Sequence, residues 1–222
     1  MPRPENRCKA EEACESKLGR MPDADTDSAA SSATASSPAD ALDLVRSEVD
    51  RAVRAVVEGD PAGLGAVADL VSGAERVFVH GAGRSGLALR MTAMRLMHLG
   101  LTVHVVGEVT SPAIGEGDVL LTASGSGTTS GIVGAAKAAV DAGARVAAMT
   151  AAAESPLAEL ATAVVVVPAA EKLDRSGSAS AQYAGGLFEQ VVVLVGDALF
   201  HALWQRSGQS ADDMWPRHAN LE

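Results

Sequence analysis

The sequence predicts an α/β fold: a three-layer sandwich with a five-stranded parallel sheet, strand order 2-1-3-4-5, and helices on both faces. Three observations predict it. Short β-branched runs alternate with longer stretches of helical periodicity from about residue 76 onward, as in a parallel sheet crossed over by helices. The run Val164-Val-Val-Val167 is apolar at every position, as a strand buried on both faces requires. Two Gly/Ser-rich loops follow the first and third runs, and each opens a helix. Strands one and three are neighbours at the switch point of a 2-1-3-4-5 sheet, where ligands bind.

Residues 1–38 mix Lys, Glu and Asp and then run into Ser28-Ala-Ala-Ser-Ser-Ala-Thr-Ala-Ser-Ser-Pro38. Small polar residues bury too little apolar surface to offset chain entropy, so a disordered N-terminal extension is expected, with Met21 as a second candidate start. Residues 39–222 form one domain of ordinary size. Leu42, Val45, Val49, Val53 and Val56 recur at helical spacing. Asp60-Pro61 starts a second helix, with proline at the first helical position. Strands are expected at residues 76–80, 102–106, 118–123, 145–149 and 164–167. The intervening helices are expected at 86–99, 128–142 and 156–161. A long helix over 183–206 follows. A short helix comes after Ser210, where Asp213 completes part of a capping pattern.

The chain has 222 residues, is 47% hydrophobic and carries a formal net charge of −10. The apolar content excludes wholesale disorder. The acidic balance argues against nucleic acid or an anionic membrane as a partner, since both need a basic face. A phosphate must then be held locally, by backbone N–H groups and helix ends. Aromatics are only 3%, so Val, Leu, Ala and Met build the core. Cys8 and Cys14 both lie in the extension, and no disulfide framework or metal-ligand spacing is evident. No secretory segment opens the chain, and the longest apolar run, 191–204, contains Asp197 and His201. A soluble, cytoplasmic protein is expected.

The loops Gly81-Ala-Gly-Arg-Ser-Gly86 and Ser124-Gly-Ser-Gly-Thr-Thr-Ser130 carry the chemistry. Glycines let backbone N–H groups approach an anion, hydroxyls add donors, and each helix N-terminus adds about half a positive charge. Two ordinary tight turns are the plainer alternative. Gly81-x-Gly83-x-x-Gly86 also fits a dinucleotide fingerprint, with Glu108 near the end of strand two as the ribose-binding acid. That reading leaves the second loop unexplained. Glu189, early in the long helix and after Gly185-Gly186, is either a general base or a charge favouring the helix N-terminus.

Val77-Phe-Val-His-Gly-Ala-Gly-Arg-Ser-Gly86, Met94-Arg-Leu-Met-His-Leu-Gly100, Val106-Gly-Glu108, Ser124-Gly-Ser-Gly127, Leu187-Phe-Glu-Gln190 and Arg217-His-Ala-Asn-Leu-Glu222 together resemble a sugar isomerase (SIS) domain. More narrowly they resemble the 6-phospho-3-hexuloisomerase family, over about residues 42–222. The resemblance implies conversion of D-arabino-hex-3-ulose 6-phosphate to fructose 6-phosphate. It implies a place in the ribulose monophosphate pathway, after formaldehyde fixation by the functional partner hexulose-phosphate synthase. It further implies a homo-oligomer, typically a tetramer, with no metal or cofactor. It identifies Glu189 as the enediol base, which works best at a pKa of about 6–7, and His98 as a second catalytic group that moves a hydroxyl proton or assists ring opening. His80, the segment 181–186 and Ser130 depart from the family pattern. A non-catalytic SIS regulator and an SIS isomerase for another sugar phosphate are the rival readings.

For phosphate and substrate the candidates are Gly83, Arg84, Ser85, Ser124, Gly125, Ser126 and Thr129. Arg84 is expected to pair with ligand oxygens or with an acid such as Glu108. His98 lies 12 positions beyond Gly86, roughly 18 Å along the same helix, so it is expected to serve a neighbouring subunit's crevice. His218 either reaches a neighbour likewise or docks the C-terminal tail. His80, at a strand end beside the crevice, is a further candidate contact. His104 is expected to be structural and His201 to pack in a core or interface. Met91, Met94 and Met97 are expected to pack, and Asp212 and Asp213 to cap.

Overall fold

The computed structural model describes residues 37–169, 180–183 and 185–221. The expected extension therefore lies outside the described residues, except for Ser37 and Pro38, which belong to the folded unit. Ser37 and Asp40 form a capping box, and Pro38 opens helix α1 (Pro38–Gly59). The Asp60 side chain accepts the Gly63 N–H at 2.8 Å and starts α2 (Pro61–Ser72). Five strands follow: β1 (Val77–Gly81), β2 (Val103–Val105), β3 (Val119–Ala123), β4 (Arg145–Thr150) and β5 (Ala163–Val166). All pair in parallel, in the order β2-β1-β3-β4-β5. The remaining helices are α3 (Gly83–His98), α4 (Ser130–Asp141), α5 (Pro156–Leu160), α6 (Gly186–Ser207) and α7 (Ala211–Met214), followed by a 3-10 turn at Trp215–Arg217.

The three layers follow from strand alternation. Val77, Val79, Val119, Leu121, Ala147 and Met149 point into a core shared with α1, α2, α3 and α6. Phe78, Leu120, Val146 and Ala148 point the other way, against Ile132, Ala136 and Ala139 of α4 and Leu157 of α5. α6 is long and apolar enough to cross a bilayer by composition, yet half of that window is buried. Its Leu187, Val191, Val195 and Leu199 fill the first core, so this is a core helix of the fold. β2, an edge strand, contracts to three half-buried residues. The expected start of α3 at residue 86 moves to Gly83, because Arg84 and Ser85 already wind its first turn.

Neither the three α3 methionines nor His201 packs in the core of the chain. Met91, Met94 and Met97 are 50%, 53% and 39% exposed. The buried face of α3 is instead Ala88, Leu89, Ala93 and Leu96, whose smaller side chains let the helix lie close to the sheet and to α6. His201 is exposed on α6 and touches only the edge of the half-buried Trp204 ring among described aromatics. Asp213 completes a full capping box with Ser210, whereas Asp212 is exposed.

Candidate active site

β1 and β3 lie side by side with Gly81 opposite Ala123, so the two Gly/Ser loops leave adjacent strands at the switch point. The first loop closes on itself at two glycines. A Cβ on Gly81 would lie 2.7 Å from the Gly86 nitrogen, and one on Gly86 would collide with the Gly81 carbonyl oxygen. Only glycine at both positions lets β1 turn this tightly into α3. Between the two loops and the start of α6 is a cavity of about 490 Å³.

Three helix N-termini face this cavity: Gly83, Arg84 and Ser85 of α3, Thr129 before α4, and Gly185, Phe188 and Glu189 at the start of α6. None of the three has a side-chain cap. The other four described α-helices are capped by Ser37, Asp60, Ser155 and Ser210. An uncapped N-terminus leaves up to four N–H donors without intrahelical partners, and all three such termini border this cavity. Hydroxyls join them. Ser124 is 4% exposed and shares a hydrogen bond of 3.2 Å with Thr129. Ser126 Oγ accepts from the N–H and the hydroxyl of Thr128 at 3.3 and 3.0 Å. Ser85 is buried in the first turn of α3. The Phe188 ring packs over Gly125, where a Cβ would stand 3.5 Å from it.

Among the described residues, Arg84 is the one cation of the lining and Glu189 the one carboxylate. They are bonded to each other, Arg84 Nε to Glu189 Oε2 at 2.6 Å, with side chains 65% and 17% exposed. Of the two expected partners of Arg84, ligand oxygens or an acid such as Glu108, the structure gives an acid, and that acid is Glu189 and not Glu108. Glu108 is bound to Arg90 at 2.7 Å, outside the cavity, so it also cannot serve as a ribose acid there.

All seven candidate phosphate residues and Glu189 line the cavity. His80, His98 and His218 do not. His80 borders a small neighbouring cleft with Gly86 and Arg90. Burial pushes its pKa below the ordinary histidine value, against the opposing effect of the Gly131 backbone. His98 ends α3 at the opposite end from the cavity, stacked on His218 with ring centroids 4.0 Å apart. Burial, then the charges of His218 and Arg95, hold its pKa below the ordinary value. Arg217 donates to the His98 carbonyl at 3.0 Å and to Gln209 at 2.9 Å, which fixes the tail against α3. His104 lies half-buried on β2 beside the Phe78 ring.

Tyr183 and Phe188 were not anticipated in the cavity wall. Tyr183 is the chain's single tyrosine, set two residues before a left-handed glycine, Gly185 at φ 81°. An isolated aromatic beside a glycine pair is the available signal. Among the described residues no group of three or more His, Cys, Asp or Glu converges.

Residues 70–188 match the SIS domain model. The chain is 56% identical over 181 residues to 3-hexulose-6-phosphate isomerase of Mycobacterium gastri, covering 82% of this chain and 89% of that one. It is 38% identical over 157 residues to the protein of the same name from Bacillus subtilis, covering 70% and 85%. The chain belongs to the SIS family. A Methanococcus jannaschii SIS-fold protein, whose crystal structure was taken to infer a 3-hexulose-6-phosphate isomerase function, superposes with a TM-score of 0.68 at 27% identity. That match covers 82% of this chain and 99% of the other. In this SIS domain the matched segment holds both Gly/Ser loops and ends at Phe188, one residue before Glu189.

Proposed function

We propose that the protein is a 3-hexulose-6-phosphate isomerase, interconverting D-arabino-hex-3-ulose 6-phosphate and fructose 6-phosphate. The observation that carries this reading is that three uncapped helix N-termini border a cavity whose charged lining, among the described residues, is one arginine and one carboxylate. The names of the two close relatives support the substrate. The phosphate ester sits between the loops, with Gly83 and Gly125 giving backbone access and Ser85, Ser124, Ser126 and Thr129 donating hydroxyls. Arg84 is the cation that phosphate and Glu189 share.

Chemistry then requires only proton movement. The Glu189 carboxylate takes the C2 hydrogen as a proton, and its bonding pair becomes the C2–C3 double bond of an enediol. The same carboxyl returns the proton to C3, while the hydroxyl hydrogen moves from O2 to O3. The carbonyl has moved from C3 to C2, with no external oxidant. The 83% burial of the Glu189 side chain (17% exposed) excludes most competing water.

His98 completes the set from a neighbouring subunit. Leu87, Met91 and Met94 are 64%, 50% and 53% exposed at i, i+4 and i+7, and His98 at i+11 ends that row, 9% exposed beneath the ring of His218. An apolar stripe of this kind on a soluble fold supports a homo-oligomer, and a tetramer fits the family. His218, stacked on His98, would act with it. The reaction belongs in the cytoplasm, after formaldehyde fixation by hexulose-phosphate synthase in the ribulose monophosphate pathway.

The test is a coupled assay with hexulose-phosphate synthase, ribulose 5-phosphate and formaldehyde, scored by fructose 6-phosphate. Glu189→Gln should keep inorganic phosphate as an inhibitor and lose about 10²–10⁴-fold in turnover. Normal turnover in that variant would overturn the base assignment. Mixing His98→Ala and Glu189→Gln protomers should restore part of the activity, and no rescue after confirmed subunit exchange would leave the site to one chain.

A further inference from the structure

We infer that Glu48, a buried carboxylate on α1 outside the cavity, is a positioning residue: it holds the segment 180–183 that sets the cavity wall and the start of the helix bearing Glu189. The inference rests on the reading of Glu189 as the base.

Glu48 is 4% exposed, and burying a carboxylate is costly unless its oxygens are bonded. Three donors meet it. Ser180 Oγ donates to Oε2 at 2.7 Å, the Ala181 N–H to Oε1 at 2.8 Å, and Gln182 Nε2 to Oε2 at 3.0 Å. All three belong to one tripeptide, more than 130 residues away in sequence. The Gln182 N–H turns back to Ser180 Oγ at 3.0 Å, which closes the tripeptide around the carboxylate. Burial alone would raise the Glu48 pKa. The Ala181 N–H, Ser180, Gln182 and the charge of Arg51 together reverse this and hold it below the usual carboxylate value.

The bonds continue into α6. Gln182 Oε1 accepts from Gln190 Nε2 at 2.8 Å, and Gln190 is the residue after Glu189. The next residue of the segment, Tyr183, borders the cavity at its mouth with its side chain 94% exposed, and its carbonyl accepts the Gly186 N–H at 3.2 Å, at the first residue of α6. Glu48 thus reaches the active site through two routes, a side-chain relay to Gln190 and a backbone turn through Tyr183. The chemistry is specific. Every partner donates, so only an acceptor-only group fits, and an amide would turn its own N–H donors toward one of them. Glu48 is not part of either phosphate loop, so its loss should disturb the base and the wall and spare the anion site.

The full chain has one tyrosine, so 3-fluorotyrosine labelling gives a single ¹⁹F resonance from Tyr183 that needs no substrate. Wild type, Glu48→Gln, Gln182→Ala and Glu189→Gln are compared, with Val67→Ala as a core control in α2, where Val67 is 2% exposed. Glu48→Gln should move or broaden the resonance and lower kcat by about tenfold or more, with the inhibition constant of inorganic phosphate changed by less than about twofold. Gln182→Ala should do the same more weakly, and the double variant should be no worse than Glu48→Gln. Val67→Ala should lower Tm and leave both readouts alone. An unmoved resonance and unchanged kcat in folded Glu48→Gln overturn the positioning role. So does a Val67→Ala variant that reproduces both changes. If Glu48→Gln does not fold, Gln182→Ala and Ser180→Ala decide by the same criteria. Normal turnover in Glu189→Gln sinks the base instead, and the ¹⁹F result then still judges the hold of Glu48 on the wall.

Discussion

Arg84 is the side chain on which binding and chemistry meet. Its guanidinium bonds Glu189 in the described structure, and among the described residues it is the one cation lining the cavity. Arg84→Gln should weaken inhibition by inorganic phosphate by about tenfold or more, with Arg84→Lys intermediate because an ammonium lacks the planar fork. Inhibition constants at two salt concentrations would check this. Asp118 shows a different use of a carboxylate. It is fully buried, bound by Arg76 at 2.6 and 2.9 Å and by the Gly115 N–H at 2.8 Å, and ties the connection before β3. Burial would raise its pKa, but the Arg76 hydrogen bonds, the Gly115 N–H and the charges of Arg76 and His104 outweigh it and lower the value. Its folded pKa lies below its unfolded one, so its stabilisation is complete above about pH 3.9 and is lost as pH falls through the folded value. Asp118→Asn should lower stability at neutral pH and flatten the acid limb of an unfolding curve measured from pH 7 to pH 2. The identity of such residues as ionic anchors was not legible in the sequence. Arg84 and Glu189 stand 105 positions apart, while Glu108 was the nearer acid, and separation along the chain says nothing about which carboxylate the fold delivers.

Among the elements, the helices divide by how they begin. Four of the described α-helices are closed by side-chain caps, and three are left open where they meet the cavity. The open ends forgo stabilisation to keep donors for an anion. Thr129→Asp should therefore stabilise the protein by about 0.3–1 kcal/mol through the α4 dipole while weakening phosphate inhibition. Thermal unfolding and inhibition measured on the same variant would reveal the opposed effects. The helix pair that carries the site is packed closely. A Cβ on Gly196 of α6 would collide with Thr92 Oγ1 of α3, so Gly196→Ala should cost about 1–3 kcal/mol, read as a lower urea midpoint. Periodicity made these helices legible, because an amphipathic repeat is a local property. Their ends shifted by a few residues, as at Gly83 and Gly186, because glycine's weak preference lets loop geometry decide where winding begins.

For the whole molecule, the exposed Leu87, Met91 and Met94 stripe runs along α3 from beside the cavity toward His98, which stacks on His218 of the tail at the far end. Met94→Lys should shift the assembly to smaller species in sedimentation, with activity falling in parallel if sites are shared. His98 is held below its unfolded pKa, so the docked tail is most stable above about pH 6.5 and loosens as pH falls from there through the folded value. Amide exchange of residues 215–218 against pH would follow that loss. The alternation of strands and helices, the paired loops at the switch point and the seven loop residues that line the cavity followed from local patterning. Strand and helix periods, and glycines where a strand must turn sharply, act over a few neighbours and survive without tertiary context. Tertiary structure alone decided that the methionines face outward, that Arg84 meets Glu189, that Tyr183 joins the wall and that Glu48 grips the segment beside it. Each of those depends on which distant surfaces come into contact, and contact is set by the packing of whole layers, which no short stretch of chain encodes.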